Sequence, residues 1–148
     1  MSIQGRIESD YIVAYKAKDT VRLAVLRHLK TAAKNREVEF LRPLTDDDLL
    51  DLISRQVKQR KDSIEQYEKH GRNDLAAVEV AELAVLQDYM PKPLTEAELA
   101  ETIDRLVAET GASGPKDMGK VMQAMTLGYK GRYDGKMASE AVRSRLSS

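Results

Sequence analysis

Pro91 and Pro93 bracket a single lysine in a chain that otherwise repeats its apolar residues at helical spacing. A proline removes a backbone donor, clashes with the turn before it and pushes the preceding residue into extended conformation, so no helix passes through 91–93. The 148 residues therefore read as two segments, a helical domain over 1–90 and a second over 94–148. A chain of this length buries a core without covalent staples. It contains no cysteine, which excludes a disulfide framework and a thiolate metal site and suits a reducing cytosol.

Four helices are predicted before the prolines. Ile3, Ile7, Tyr11 and Ala14 share one face of a first helix that runs to about Lys18. Asp19 caps a second, in which Val21, Val25, Leu29 and Ala32 recur before the pattern fades near Arg36. Thr45 caps a third, with Asp46, Asp47 and Asp48 suited to a helix N-terminus, a stripe of Leu50, Ile53, Val57, Ile64 and Tyr67, and a stop at Gly71. The fourth starts near Asn73; Leu75, Val78, Val80, Leu83, Val85 and Leu86 are apolar around most of its circumference, which predicts a central place in the first bundle.

Three helices are predicted after the prolines. Thr95 and Glu98 form a capping box ahead of Leu99, Ile103 and Leu106, and Gly111 ends that helix. Pro115 and Asp117 open a short sixth with Val121, Met122 and Met125; Asp134 caps a seventh with Met137, Ala141, Val142 and Leu146. No alternating apolar run competes, so the fold class is all-α, a four-helix unit followed by a three-helix unit.

Charge narrows the function classes. Lys plus Arg number 24 and Asp plus Glu 24, so any polyanion would be met by a local patch and not by a bulk field. The N-terminus lacks the basic and apolar regions of a signal peptide, and no apolar run approaches the roughly 20 residues that span a bilayer. A cytoplasmic protein without membrane contact is expected.

Catalytic and cofactor chemistry finds no address. Gly114, Gly119 and Lys120 fit the start of a phosphate-loop pattern, but Val121 stands where the magnesium-binding hydroxyl belongs and no strand precedes them. Glu79 and Glu82 lie one turn apart without a nucleophile nearby, and read as a solvated stripe or as partners of interhelical ion pairs. His28 and His70 lack a ligand-spaced partner. No catalytic residue, no metal site and no cofactor is assigned.

Binding signals are local. Residues 116–145 carry Lys116, Lys120, Lys130, Arg132, Lys136, Arg143 and Arg145 against Asp117, Asp134 and Glu140. Within them GYKGRYDGK sets Tyr129 and Tyr133 among cations and glycines, the mixture of charge and stackable ring that a single-stranded nucleic acid uses; the structural alternative is a connection whose tyrosines cap the core. Lys120, Lys130, Arg132, Tyr133 and Lys136 form the candidate nucleic-acid site. Arg27, Lys30 and Lys34 share a face of the second helix as a secondary basic stripe, with a solvated face as the alternative.

RLAVLRHLKTAAKNREVE at 22–39, QVKQRKDSIEQYEKHGRNDL at 56–75, AELAVLQDYMPKPLTEAEL at 81–99 and KDMGKVMQAM at 116–125 followed by GRYDG together resemble the GatB/YqeY family. The resemblance covers nearly the whole chain. It implies the same division into four and three helices, with the C-terminal unit similar to the tail domain of the B subunit of the tRNA-dependent amidotransferase. The family's turn tends to read GRADG, where this chain has Tyr133. The function implied is a non-catalytic, tRNA-associated module that carries a family label of carbon-nitrogen ligase with glutamine as amido donor. The other reading is an adaptor that binds an aminoacyl-tRNA synthetase or amidotransferase subunit through the margin of the fourth helix and Tyr89 to Met90.

Overall fold

The computed structural model describes residues 2–147. All regular structure among them is helical: α1 (Ile3–Ala17), α2 (Thr20–Phe40), α3 (Asp46–Lys69), α4 (Asn73–Gln87), α5 (Glu96–Thr110), α6 (Met118–Tyr129) and α7 (Gly135–Ser147), with a single 3₁₀ turn at Pro115–Asp117. The chain divides into two compact units, Met1–Met90 and Pro91–Ser148.

Local chemistry explains most boundaries. The Ser2 hydroxyl accepts from the Gly5 amide and the Asp19 carboxylate from the Arg22 amide, so α1 and α2 each start on a side-chain cap. Thr45 with Asp48, and Thr95 with Glu98, close reciprocal capping boxes at the starts of α3 and α5. Asp134 Oδ1 accepts from the Lys136 and Met137 amides at the start of α7. Gly111 ends α5 in the left-handed region at φ 72°, where a Cβ would be strained.

The four-helix unit encloses Ile7, Val25, Leu26, Leu29, Leu49, Leu52, Ile53, Val85, Leu86 and Tyr89. Two sequence expectations change here. On α3 the buried stripe is Leu49, Leu52, Ile53 and Gln56, displaced from the predicted Leu50 and Val57, so a polar residue holds an inward position. On α4 the core takes Val85 and Leu86, while Val78 and Val80 are half exposed. Val78 shares an azimuth with Val85 but lies two turns closer to the α3–α4 connection; from 58–84 the main core cluster draws no residue, and Ala76 is the one buried apolar side chain among the described residues there. The outer half of that helical hairpin thus runs beyond the core, which a periodicity argument cannot detect.

The three-helix unit has its own core of Ile103, Leu106, Val107, Val121, Met125, Ala138, Val142 and Leu146, with Tyr129 and Tyr133 packed on its margin. In it the 91–94 segment is tied to the α6–α7 connection: the Leu94 amide donates to Arg132 O at 2.7 Å, and Arg132 Nε donates to Lys92 O at 2.9 Å.

Candidate functional site

The α6–α7 connection uses its cations and rings internally. Arg132 spends its Nε on a backbone carbonyl and sits 5.9 Å from the centre of the Tyr129 ring, while Arg105 approaches the same ring at 5.6 Å and donates to the Tyr129 hydroxyl. Two guanidiniums within 6 Å of one ring hold it by cation–π attraction. Tyr133 is half-buried, its hydroxyl 3.4 Å from the Thr126 hydroxyl. Lys120 pairs with Asp117 at 3.7 Å, Lys130 is half-buried and Lys136 is exposed. The five predicted residues thus divide into a structural pair, Arg132 and Tyr133, and three lysines around them. The tyrosines cap the core.

On the four-helix unit the basic stripe also divides. Lys30 and Lys34 line a groove of about 220 Å³ between α1 and α2. Arg27 is exposed, and its carbonyl accepts from the Thr31 hydroxyl. Ile7, Leu29, Ala33 and Leu49 form the groove's apolar floor, and Gln4, Glu8 and Glu37 complete its walls. The Lys30 ammonium lies 4.2 Å from the centre of the Tyr11 ring, and the Gln4 amide donates to Glu37 at 3.5 Å. Two ammoniums and two carboxylates at one rim cancel, so a polyanion meets no net field there. Sequence spacing found the lysines; Glu8 on α1 and Leu49 on α3 are far from them in the chain and gave no signal.

A second cleft, of about 200 Å³, lies where α2, α3 and α4 meet, lined by His28, Gln56, Gln59, Arg60, Ser63 and Glu79. One guanidinium nitrogen of Arg60 donates to Glu79 at 3.2 Å and also to Glu82, which settles the two glutamates as interhelical ion-pair partners. Gln56 is only 8% exposed, and its Oε1 and Arg60 Nε are buried without a hydrogen-bond partner among the described residues. Sequence reading missed both. The sole available signal was a glutamine one turn beyond Ile53 on a buried stripe.

The adaptor surface expected at the margin of the fourth helix and Tyr89 to Met90 divides: Tyr89 is 3% exposed and Met90 packs half-buried against the core, while Val78 and Val80 are half exposed.

The family model of YqeY-like proteins matches residues 4–146. Curated relatives carry the name "Altered inheritance of mitochondria protein 41, mitochondrial". The one from Lachancea thermotolerans is 34% identical over 114 residues, 75% of this chain and 61% of the relative. The one from Eremothecium gossypii is 32% identical over 147 residues, 97% of this chain and 80% of the relative. That of Saccharomyces cerevisiae strain S288c is 32% identical over 94 residues, 63% of this chain and 51% of the relative. The chain thus spans between about half and four fifths of the length of these relatives. Neither the family description nor the relatives' names speak of catalysis. They also overturn the expected function: a tRNA-associated module related to the amidotransferase, or an adaptor for a synthetase or amidotransferase, finds no support in relatives named for mitochondrial inheritance. On the turn expected to meet nucleic acid, Arg132 and the neighbouring Tyr129 ring make contacts within the fold. Among the described residues no helix is long and apolar enough to cross a membrane.

Proposed function

The chain belongs to the YqeY-like protein family, and from that premise we propose that it acts as a non-catalytic binding protein whose α1–α2 groove receives an aliphatic side chain from a partner protein. One observation carries this reading: a groove of about 220 Å³ with an apolar floor of Ile7, Leu29, Ala33 and Leu49, rimmed by Lys30, Lys34, Glu8 and Glu37. Concave apolar sites with a few convergent polar groups are the usual seats of recognition. The balanced rim selects a partner segment in which the inserted side chain is flanked by one acidic and one basic residue, since a segment of single charge sign meets repulsion on one side. We place the activity in the cytoplasm, a reading supported by the absence of cysteine.

The test is a photo-reactive residue at Lys34 in the full chain, with the same residue at the exposed Arg143 as control. The expected result is a cross-linked protein at Lys34 alone, which then binds the purified chain and loses that binding to Ala33→Leu, a substitution that fills the groove. Cross-linking only to a second copy of the chain, or binding that survives Ala33→Leu, overturns the proposal.

A further inference from the structure

The C-terminal end of α1 leaves large apolar side chains in water. Ile12, Val13 and Tyr15 are 54%, 61% and 65% exposed, and Val21, in the first turn of α2 at the same end of the hairpin, is 39% exposed. At 100° per residue, Tyr15, Ile12, Lys16 and Val13 follow one another around an arc of about 160° within roughly one turn of helix, opposite the buried Ile7 and Ala14. The arc is therefore one contiguous face, apolar on both sides of a lysine.

Charge selects what covers it. Residues 11–18 contain Lys16 and Lys18 and no carboxylate. Both lysines are exposed, and neither pairs with an acid among the described residues. The flanking acids are turned to the fold: Asp10 accepts from the Tyr89 hydroxyl, and Asp19 caps α2 and pairs with Arg22 at 3.7 Å. The exposed Val38 and Leu41 at the far end of α2 differ, since Glu37 and Glu39 stand among them. Lys18 adds a second observation. It holds a left-handed position, φ 56°, where glycine would relieve strain, so a cation is kept at the tip against the preference of the backbone.

We propose that this end of the α1–α2 hairpin docks on a membrane surface rich in acidic phospholipid. Ile12 and Val13 enter the boundary between headgroups and acyl chains, the Tyr15 ring lies at headgroup level, and the Lys16 and Lys18 ammoniums meet the phosphates. A few side chains and two cations give a reversible, salt-sensitive contact. The contact is independent of the α1–α2 groove reading.

The experiment is flotation of the full chain with vesicles of phosphatidylcholine alone and of phosphatidylcholine with about one third phosphatidylglycerol, each at low and high salt. The chain should float with the acidic vesicles at low salt, several-fold less at high salt, and scarcely with phosphatidylcholine alone. The double variant Ile12→Ser, Val13→Ser alters exposed side chains only and should lose most of the binding; Lys16→Glu should weaken it several-fold. Lys18→Gly should weaken binding while relieving strain in the fold, whereas Leu41→Gly, the same change at the other end of α2, should leave binding intact. No flotation with acidic vesicles at low salt overturns the proposal, as does equal binding to phosphatidylcholine alone or binding that survives the double variant. Self-association that the double variant abolishes, without vesicle binding, assigns the face to a second copy of the chain and overturns it too.

Discussion

The Tyr89 hydroxyl donates to the Asp10 carboxylate at 2.5 Å across 79 residues of sequence, joining the segment after α4 to the first helix. The ring is buried, and the Arg6 guanidinium covers it at 4.9 Å from its centre. Burial, and then the bond to Asp10, push the phenol above its ordinary value of 10.0. An acid whose folded pKa is raised stabilises the fold fully below its unfolded pKa, and the contribution disappears as pH rises above it. Thermal melting should therefore fall above about pH 10, and Tyr89→Phe should flatten that alkaline limb while costing about 1–2 kcal/mol at neutral pH. A wild-type melting temperature level through this range would refute the assignment.

Arg60 is the single cation between Glu79 and Glu82, and all three side chains are mostly shielded from water. Removing the cation leaves two carboxylates one turn apart without a counter-ion. Arg60→Met should cost about 2–3 kcal/mol in urea unfolding, and adding Glu79→Gln and Glu82→Gln should recover most of it. Purely additive losses in the triple variant would show that the three residues do not act as one network.

Leu41 follows α2 at φ 57° with its side chain 89% exposed, and Lys18 follows α1 at φ 56°. Helices that end in this conformation usually place glycine there, because a Cβ is strained in the left-handed region. Leu41→Gly and Lys18→Gly should each stabilise the protein by about 0.5–1 kcal/mol, read as a higher denaturation midpoint at unchanged slope. A loss of stability in both would mean that the side chains make contacts worth more than the strain.

Three helix-start carboxylates and one turn carboxylate prepare an acid limb. The Arg42 guanidinium, ahead of the Thr45 backbone amide, holds Asp48 well below the usual carboxylate range. The Thr95 amide lowers Glu98, the Arg72 side chain lowers Asp74, and the Ser113 amide lowers Asp117. A depressed acid stabilises the fold above its unfolded pKa and loses that contribution as pH falls through the folded one. Melting temperature should hold near neutrality and decline below about pH 4. Asp48→Asn should lower the plateau and make the decline shallower; a decline of unchanged steepness would place the titrating groups elsewhere.

Helix positions were legible in the sequence wherever a short-range signal sets them. Thr45 with Asp48, Thr95 with Glu98, and Gly111 are complete within one turn of chain, and each stands where it was expected. Periodicity set the azimuth of α1 and α5 but slipped by a residue on α3, because Leu49 and Leu50 are equal candidates until a partner helix chooses between them. It placed α4 too centrally, since a helix has the same period inside the core as beyond its edge.

Sites depended on long-range placement. Nothing local says that Tyr129 is met by Arg105, 24 residues earlier, or that Arg132 reaches back 40 residues to Lys92, and those two facts give the α6–α7 turn structural contacts that its composition did not announce. The groove and the polar cleft each draw walls from three helices, so neither has a sequence signature. The sequence by itself determined the all-helical class, the caps and the break at Pro91 and Pro93, because these follow from backbone donors, acceptors and dihedral limits over a few residues. The tertiary structure alone decided which charges are paired and which polar atoms are buried, because burial and ion pairing are properties of neighbours that the chain brings together only on folding.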